Sequence, residues 1–406
     1  MTTRASTTTR RRAPTAVERP AGAVRTLRQA WRGPGAQRPA LYVLLFATVV
    51  VLNVVGLVMV LSASSVVAEA NYGSAWFFFE RQILWTLLGI GTFVVVARVD
   101  YRKWRRLALP LLALSAGLLV LVLVPGVGIH VDGATRWLGT GSLRFQPTEV
   151  AKLALLLFSA DLLTRRAREI YDWRLVVAPV LGVLAIFSVL VLKQPDLDST
   201  IVLGLIAFAL LIVGGVRMKH LMTLGVAGIS LAALLAVGAG YRRARVFAFL
   251  DPWSDSSNTG YQIAQSLIAL GSGGWTGVGL GAGRAKWMFL PNAHTDFIFA
   301  IIGEELGLVG CLIVVALFVA FAVFGVLTAV RAPDRFGMLV AAGVTVWVVG
   351  QAIINIGAVI GLLPVSGIPL PFVSFGGSAL VFTMVAAGIL GNIARQGRPA
   401  ASGTAR

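Results

Sequence analysis

Asp296 and His294 stand two residues apart at the end of a polar stretch, Phe289-Leu-Pro-Asn-Ala-His-Thr-Asp, that runs directly into an apolar segment carrying Glu304 and Glu305. Ionisable groups beside or inside a hydrocarbon layer cost several kcal/mol unless they are paired or hydrated, so they mark candidate functional positions. A carboxylate at the mouth of such a segment can act as a general base, because partly apolar surroundings raise its pKa towards working pH, although a nearby Arg opposes that shift. Asp296 suits the N-cap of the following segment equally well. Spacing alone leaves both roles open.

The absent motifs narrow the chemistry. No His, Cys and carboxylate cluster falls at metal-ligand spacing and no Gly-x-Ser-x-Gly elbow occurs, so hydrolysis by a zinc site or a serine nucleophile has no support. A transfer from a donor with a good leaving group, such as a lipid-linked diphosphate, asks for less. Cations stabilise the departing diphosphate, and one base takes the proton from the attacking hydroxyl. Arg242, Arg243, Arg245, Arg284 and Lys286 supply cations in the loop that ends at Asp296, and Arg136 and Arg144 supply them in an earlier loop.

The positioning elements are membrane helices. The chain has 406 residues, 57% hydrophobic and 13% charged, with a mean hydropathy of +0.84; a soluble domain would carry about 25% charge. The formal charge is +18, and much of the Arg lies in the tails and in short loops between apolar runs, the positive-inside pattern of a polytopic membrane protein, so no nucleic-acid partner is expected. The single cysteine, Cys311, excludes an intrachain disulfide. A long polar tail precedes the first apolar run, which does not read as a cleavable signal peptide.

A spanning helix needs roughly 20 apolar residues. Ten segments qualify, near 40–62, 77–98, 107–125, 146–164, 174–192, 199–215, 220–239, 297–328, 337–360 and 373–394. The expected fold is therefore all-α and polytopic, with a membrane domain over 39–395 between a disordered basic tail, 1–38, and a short tail, 396–406. With both tails cytoplasmic, the basic loops 98–106, 165–174, 217–220 and 331–335 fall inside. The loops 63–76, 126–145, 240–296 and 361–372 fall outside. The large loop 240–296, between helices 7 and 8, breaks the charge rule with its five cations, which suggests an anionic ligand such as a phosphate. Its glycines, Gly271 to Gly283, match no phosphate-binding fingerprint and read as backbone compliance.

Three further places put polar groups against apolar segments. Glu149 and Lys152 are spaced i,i+3 and meet on one helical face, where a structural ion pair is the plainer reading. Lys193-Gln-Pro-Asp-Leu-Asp198 makes a short charged turn, read as self-satisfied. Pro364, Pro369 and Pro371 with Ser374, Gly376 and Gly377 break the backbone beside the last span, which is tolerated only where protein or a watery cavity covers it.

Phe289-Leu-Pro-Asn-Ala-His-Thr-Asp-Phe-Ile-Phe-Ala with Gly303-Glu-Glu-Leu-Gly, Arg144-Phe-Gln-Pro-Thr-Glu-Val-Ala-Lys, Gln194-Pro-Asp-Leu and Pro369-Leu-Pro-Phe-Val-Ser-Phe-Gly-Gly-Ser together resemble the SEDS family of shape, elongation, division and sporulation proteins, over about residues 40–395. The resemblance implies a ten-helix peptidoglycan glycosyltransferase that polymerises lipid II on the outer face of the cytoplasmic membrane. It places the family's loop aspartate on Asp296, which would deprotonate the 4-hydroxyl of one lipid-linked disaccharide for attack on the anomeric carbon of another, expelling undecaprenyl diphosphate. Glu149 and Lys152 match the family's polar pair, and with Arg136, Arg144, Arg243, Arg245, Lys286, His294 and Ser374 they form the expected substrate-binding set. No resident cofactor is expected, with room for a divalent cation, Mg or Mn, at the diphosphate.

The Asn292-Ala293 lead and the Pro369–Ser378 run look more like division members than elongation members, which implies a class B penicillin-binding transpeptidase and other division proteins as partners. One departure stands out: the family usually has glycine where this chain has Asp198. The competing readings are an elongation-type polymerase, a lipid II flippase, which has no need of an external base, and a scaffold that only recruits a transpeptidase.

Overall fold

The computed structural model describes residues 38–397 apart from 132, 141, 142, 239 and 255–259. The expected tails thus lie almost wholly outside the described residues. Three helices, α1 (Arg38–Tyr72), α2 (Phe77–Arg98) and α3 (Trp104–Leu121), precede a small antiparallel sheet of β1 (Ile129–Val131), β2 (Ala134–Thr140) and β3 (Leu143–Phe145) in that spatial order. Then come α4 (Pro147–Arg165), α5 (Ala178–Leu192), α6 (Leu197–Gly214), α7 (Met218–Gly238), α8 (Gly240–Leu250) and α9 (Tyr261–Gly273). The chain closes with α10 (Ile298–Arg331), α11 (Arg335–Val359) and α12 (Gly377–Gln396).

Ten helices fall on the ten predicted spans. Among the described residues nine are long and apolar enough to cross a membrane; α4 is the tenth and differs in kind. It carries Glu149, Lys152, Asp161 and Arg165, and 15 of its 19 residues are buried, because α3, α6 and α11 pack around it and enclose the first three of those charges, while Arg165 stands exposed at its end.

The expectation of helices alone needs correction at the loops. The segment 126–145 forms the three-stranded sheet, with Gly133 at φ 77 at the start of β2; an Asp-Gly pair is a favoured hairpin dipeptide. α1 continues to Tyr72, so the predicted loop 63–76 shrinks to 73–76. α8 and α9 occupy part of the long loop. α12 begins at Gly377 rather than 373, since Pro369 and Pro371 lack N–H donors and Phe372 sits at φ 65.

The basic loops predicted on one side gather at one face. There Arg102 meets Asp334 at 3.0 Å, the Tyr101 N–H donates to Asn392 Oδ1 at 2.9 Å, and Arg335 donates to the Gly214 carbonyl at 2.7 Å. Partial burial works to raise the Asp334 carboxyl, but the Gly337 N–H, the Tyr101 hydroxyl and Arg102 outweigh it and hold that group below its ordinary value.

α10 is interrupted. Gly307 has φ 66 and ψ −165, and the glycine-rich segment after α9 is stitched into the gap. The Val278 and Gly279 N–H groups donate to the carbonyls of Glu304 and Glu305 at 3.0 and 3.1 Å. Those of Leu308 and Val309 donate to Gly274 and Trp275 at 3.0 and 3.2 Å. The freed backbone groups are thereby satisfied inside protein, as a broken membrane helix requires. A Cβ on Gly307 would lie 2.4 Å from the Gly277 nitrogen, and one on Gly277 would lie 2.1 Å from the Glu305 carbonyl oxygen. Glycine is needed here for close approach as well as for positive φ. Gly307→Ala should therefore destabilise the protein by about 2–3 kcal/mol, read as a clear fall in Tm in detergent; an unchanged Tm would contradict the docked-segment geometry.

Candidate active site

Glu304 and Glu305, which the sequence singles out as carboxylates in an apolar run, are consumed by the stitched segment. Glu304 Oε1 accepts the Arg284 N–H at 2.7 Å, and its two oxygens share the Ala285 N–H at 3.2 Å each. Glu305 accepts the Ser62 hydroxyl at 2.7 and 2.6 Å and the Gly281 N–H at 3.0 Å, and pairs with Lys286 Nζ at 3.0 Å. Lys286 Nζ also donates to the Gly281 carbonyl at 2.6 Å and to Ser62 Oγ at 3.1 Å, and its side chain is 5% exposed. Lys286 holds the loop from within rather than facing a ligand.

That anchored loop delivers the stretch of residues 289–297. Asn292 adopts φ 55, and its carbonyl accepts the N–H groups of Thr295 and Asp296 at 3.1 Å and of Phe297 at 3.3 Å, which closes a tight turn. Phe297, not Asp296, occupies the cap position of α10 and makes no side-chain cap hydrogen bond, so Asp296 stands one residue before the cap. Asn355, from α11, donates through Nδ2 to the carbonyls of Asp296 at 2.7 Å and Ile368 at 2.8 Å, tying the Asp296 turn to the loop 361–376. Asp198 reaches the same place: its Oδ2 accepts the Gly367 N–H at 2.8 Å. A Cβ on Gly367 would lie 3.6 Å from Asp198 Oδ2 and 3.9 Å from Asp296 Oδ2. The unusual aspartate and the candidate base are thus neighbours across a side-chain-free position.

His294 is half-buried, its ring centroid 4.5 Å from that of Phe78 and 5.8 Å from that of Phe375. Desolvation pushes its pKa down to about 4, so at neutral pH the ring is uncharged and offers a hydrogen bond rather than a cation. Its carbonyl accepts the Phe375 N–H at 3.0 Å, a second tie to the 361–376 loop.

The remaining predicted residues divide. Arg136, on β2, donates to the carbonyls of Gln194 at 3.2 Å and Pro195, and approaches Asp196 at 4.0 Å. Asp196 itself caps α6 through the Ser199 N–H at 3.0 Å, so the charged turn, read as self-satisfied in the sequence, is satisfied partly from within and partly by Arg136 and Gly367. Arg144, on β3, and Arg243, on α8, are exposed, as is Arg284. The side chain of Arg245 lies outside the described residues. Ser374 is buried and accepts the Leu370 N–H at 2.8 Å; it lines a small cleft with Gln351, Pro371, Gly376 and Thr383.

Glu149 and Lys152 form a buried pair at 2.8 Å, with Lys152 Nζ also 5.1 Å from the Trp347 ring. Glu149 Oε2 has no hydrogen-bond partner among the described residues. Their enclosure inside α4 separates them from the exposed cations. Among the described residues no group of three or more His, Cys, Asp or Glu is placed to hold a metal ion, and Asp198 with Asp296 brings two carboxylates together, short of a resident metal centre.

The structure brings together Asp296, His294 and the 361–376 loop around Ser374. Asn355, Gly367 and Phe78 complete this arrangement and were missed in the sequence. Only Asn355, an amide inside an apolar run, carries a signal that could have found it.

A bundle of membrane-crossing helices that anchors a loop with a half-buried carboxylate describes a polytopic membrane protein with a candidate site at the loop. The chain belongs to the FtsW/RodA/SpoVE family, whose model, described as "Cell cycle protein", matches residues 42–399. A probable peptidoglycan glycosyltransferase FtsW of Geobacter metallireducens is 41% identical over 357 residues, 88% of this chain and 95% of that protein. Stage V sporulation protein E of Bacillus subtilis is 40% identical over 355 residues, 87% and 97% of the two chains. Among solved structures, a chain of a peptidoglycan synthase complex that coordinates polymerization and crosslinking superposes with a TM-score of 0.70 at 29% identity, covering 88% of this chain and 97% of that one. The rod shape determining protein RodA of Thermus thermophilus superposes with a TM-score of 0.65 at 28% identity, covering 87% and 96%.

Two measurements test this geometry. Lys152→Ala should cost about 3–5 kcal/mol by stranding Glu149 without its partner, whereas Glu149→Gln combined with Lys152→Met should cost less than the single change. Equal losses would show that the ion pair is not what α4 depends on. The His294 imidazole should titrate by NMR near 4 instead of near 6.5. Because the folded pKa is depressed, its contribution to stability is complete above about pH 6.5 and is lost as pH falls towards 4.

Proposed function

We infer that this chain is a peptidoglycan glycosyltransferase of the division type, polymerising lipid II into glycan strands at the membrane face that carries the Asp296 loop. The observation that carries the reading is the placement of Asp296. It is half-buried on a turn fixed by Asn292 and Asn355, one residue before the α10 cap position, and its carboxylate lies with that of Asp198 beside Gly367. The division assignment draws support from relatives named FtsW at 37–44% identity, a range that also holds the sporulation protein at 40%, against 28% for the solved RodA.

Asp296 takes the proton from the 4-hydroxyl of an acceptor disaccharide. The oxygen bonds to the anomeric carbon of a second lipid-linked disaccharide, the carbon–oxygen bond to its diphosphate breaks, and undecaprenyl diphosphate leaves with the electron pair. Arg144, Arg243 and Arg284 stabilise the departing charge. His294, neutral, serves as a hydrogen-bonding group against the sugars. The face bearing Asp296 is external and both tails are cytoplasmic, as the positive-inside pattern supports. A class B penicillin-binding transpeptidase and other division proteins are the partners, a reading supported by the synthase-complex neighbour. A divalent cation at the diphosphate is compatible with this scheme, which routes no step through one.

The test is lipid II polymerisation by the purified protein with its cognate transpeptidase. Asp296→Asn should lower the rate about 10²–10⁴-fold, the range for a lost general base, at matched folding and partner binding. Unchanged polymerisation would remove Asp296 from that role. No polymer from the wild type would favour the transporter reading.

A further inference from the structure

An aromatic ladder leads away from the candidate active site along the outer ends of α1 and α2. Phe78, packed on His294 at 4.5 Å and on Phe375 at 5.2 Å, also meets Phe77 at 5.2 Å and Tyr72 at 5.5 Å. Phe77 is sandwiched: the Arg81 guanidinium lies 3.7 Å from its centroid, and Tyr72 stacks on it at 3.7 Å with an interplanar angle of 9°. The stack therefore ends in Tyr72, which is 54% exposed; Trp76, four residues on and 53% exposed, packs edge-on against Phe79 at 5.6 Å. This ladder is continuous with the loop that carries Asp296, two residues from His294.

Its setting points away from a purely lipid-facing role. A helix of 35 residues such as α1 is about 52 Å long, well beyond the roughly 30 Å of hydrocarbon. Its start packs low in the bundle, where Tyr42 lies under Arg395 near the end of α12, so the surplus length stands at the Tyr72 end. Glu69, Asn71 and Glu80 are exposed around the rings. Flat exposed aromatic rings bordered by carboxylates and an amide match a pyranose, whose C–H face stacks on a ring while its rim hydroxyls donate to carboxylate oxygens. Among the described residues Glu69 and Glu80 outnumber the one cation at the stack, Arg81, which is already engaged on the Phe77 ring, and this balance disfavours a diphosphate.

We propose that Tyr72, backed by Phe77 and Phe78, and Trp76, set against Phe79, form a sugar-binding platform that holds the glycan strand next to the Asp296 loop, with Glu69, Asn71 and Glu80 binding its hydroxyls. The proposal rests on the glycosyltransferase reading for the identity of the ligand. Holding the strand between couplings lets the same strand be extended repeatedly, so the platform sets product length.

Two assays test it. In lipid II polymerisation, Tyr72→Leu with Trp76→Leu should shorten the mean strand at least threefold. The lipid-facing control Leu84→Ala, on α2, should leave it at the wild-type length. Leucine retains apolar character at the interface while removing the flat rings, so unchanged strand length in the double variant would overturn the platform and favour an interfacial aromatic belt. Saturation-transfer NMR with a soluble, lipid-free peptidoglycan oligosaccharide should show signal to ring protons of the sugar for the wild type and at least fivefold less for the double variant. Equal transfer would likewise overturn it. If the wild type makes no polymer, the glycosyltransferase reading fails, while the NMR result still decides the platform.

Discussion

The capture of a glycine-rich backbone by two adjacent carboxylates inside the membrane domain is the constraint on which the remainder of the site depends. Glu304 and Glu305 sit just before the Gly307 break, accept N–H groups from residues 281–285, and are balanced by Lys286. Buried carboxylates are costly alone, and here the cost is offset by several charge-assisted hydrogen bonds and one enclosed ammonium. The result is a rigid base from which the turn carrying His294 and Asp296 emerges in a defined direction. A loop of the same length without that anchorage would carry its carboxylate over a wide range of positions, which is incompatible with the sub-ångström placement that proton transfer requires.

A second set of ties works from the other side. Asn355 and the Phe375 N–H bind the Asp296 turn to the 361–376 loop, and Asp198 binds Gly367 in that loop. Three stretches far apart in sequence thereby share one small region. The Asp198 carboxylate gives the neighbouring loop a hydrogen bond that a glycine at this position could not.

Much of this was legible in the sequence, and what was not has physical reasons. The ten spans were readable because hydrocarbon imposes length and apolarity on a helix, and even α4 was found despite its four charged residues. The small sheet escaped because three- and seven-residue strands leave little periodic signal. Lys286 and the glutamates were recognised as important but their role was not, since a cation in a basic loop looks the same whether it turns outward to a phosphate or inward to a carboxylate. The glycines were read as compliance because the partner that demands their missing side chains, the broken α10, is defined only in three dimensions. The tight grouping of Asn355, Gly367 and Asp198 depends on tertiary contacts between segments up to 169 residues apart, and no local pattern encodes it.

The character of α4 has a consequence for how the protein is made. A charge in a lone helix raises the cost of partitioning into lipid, most at the centre and less towards the ends, and this helix carries the buried Glu149, Lys152 and Asp161. On leaving the ribosome it cannot dissolve in the bilayer as an independent unit. Its enclosure is complete only when α6 and then α11, later in the chain, have joined α3 around it. The centre of the bundle is therefore among the last parts to be sealed, and faults in biogenesis should be concentrated in that helix.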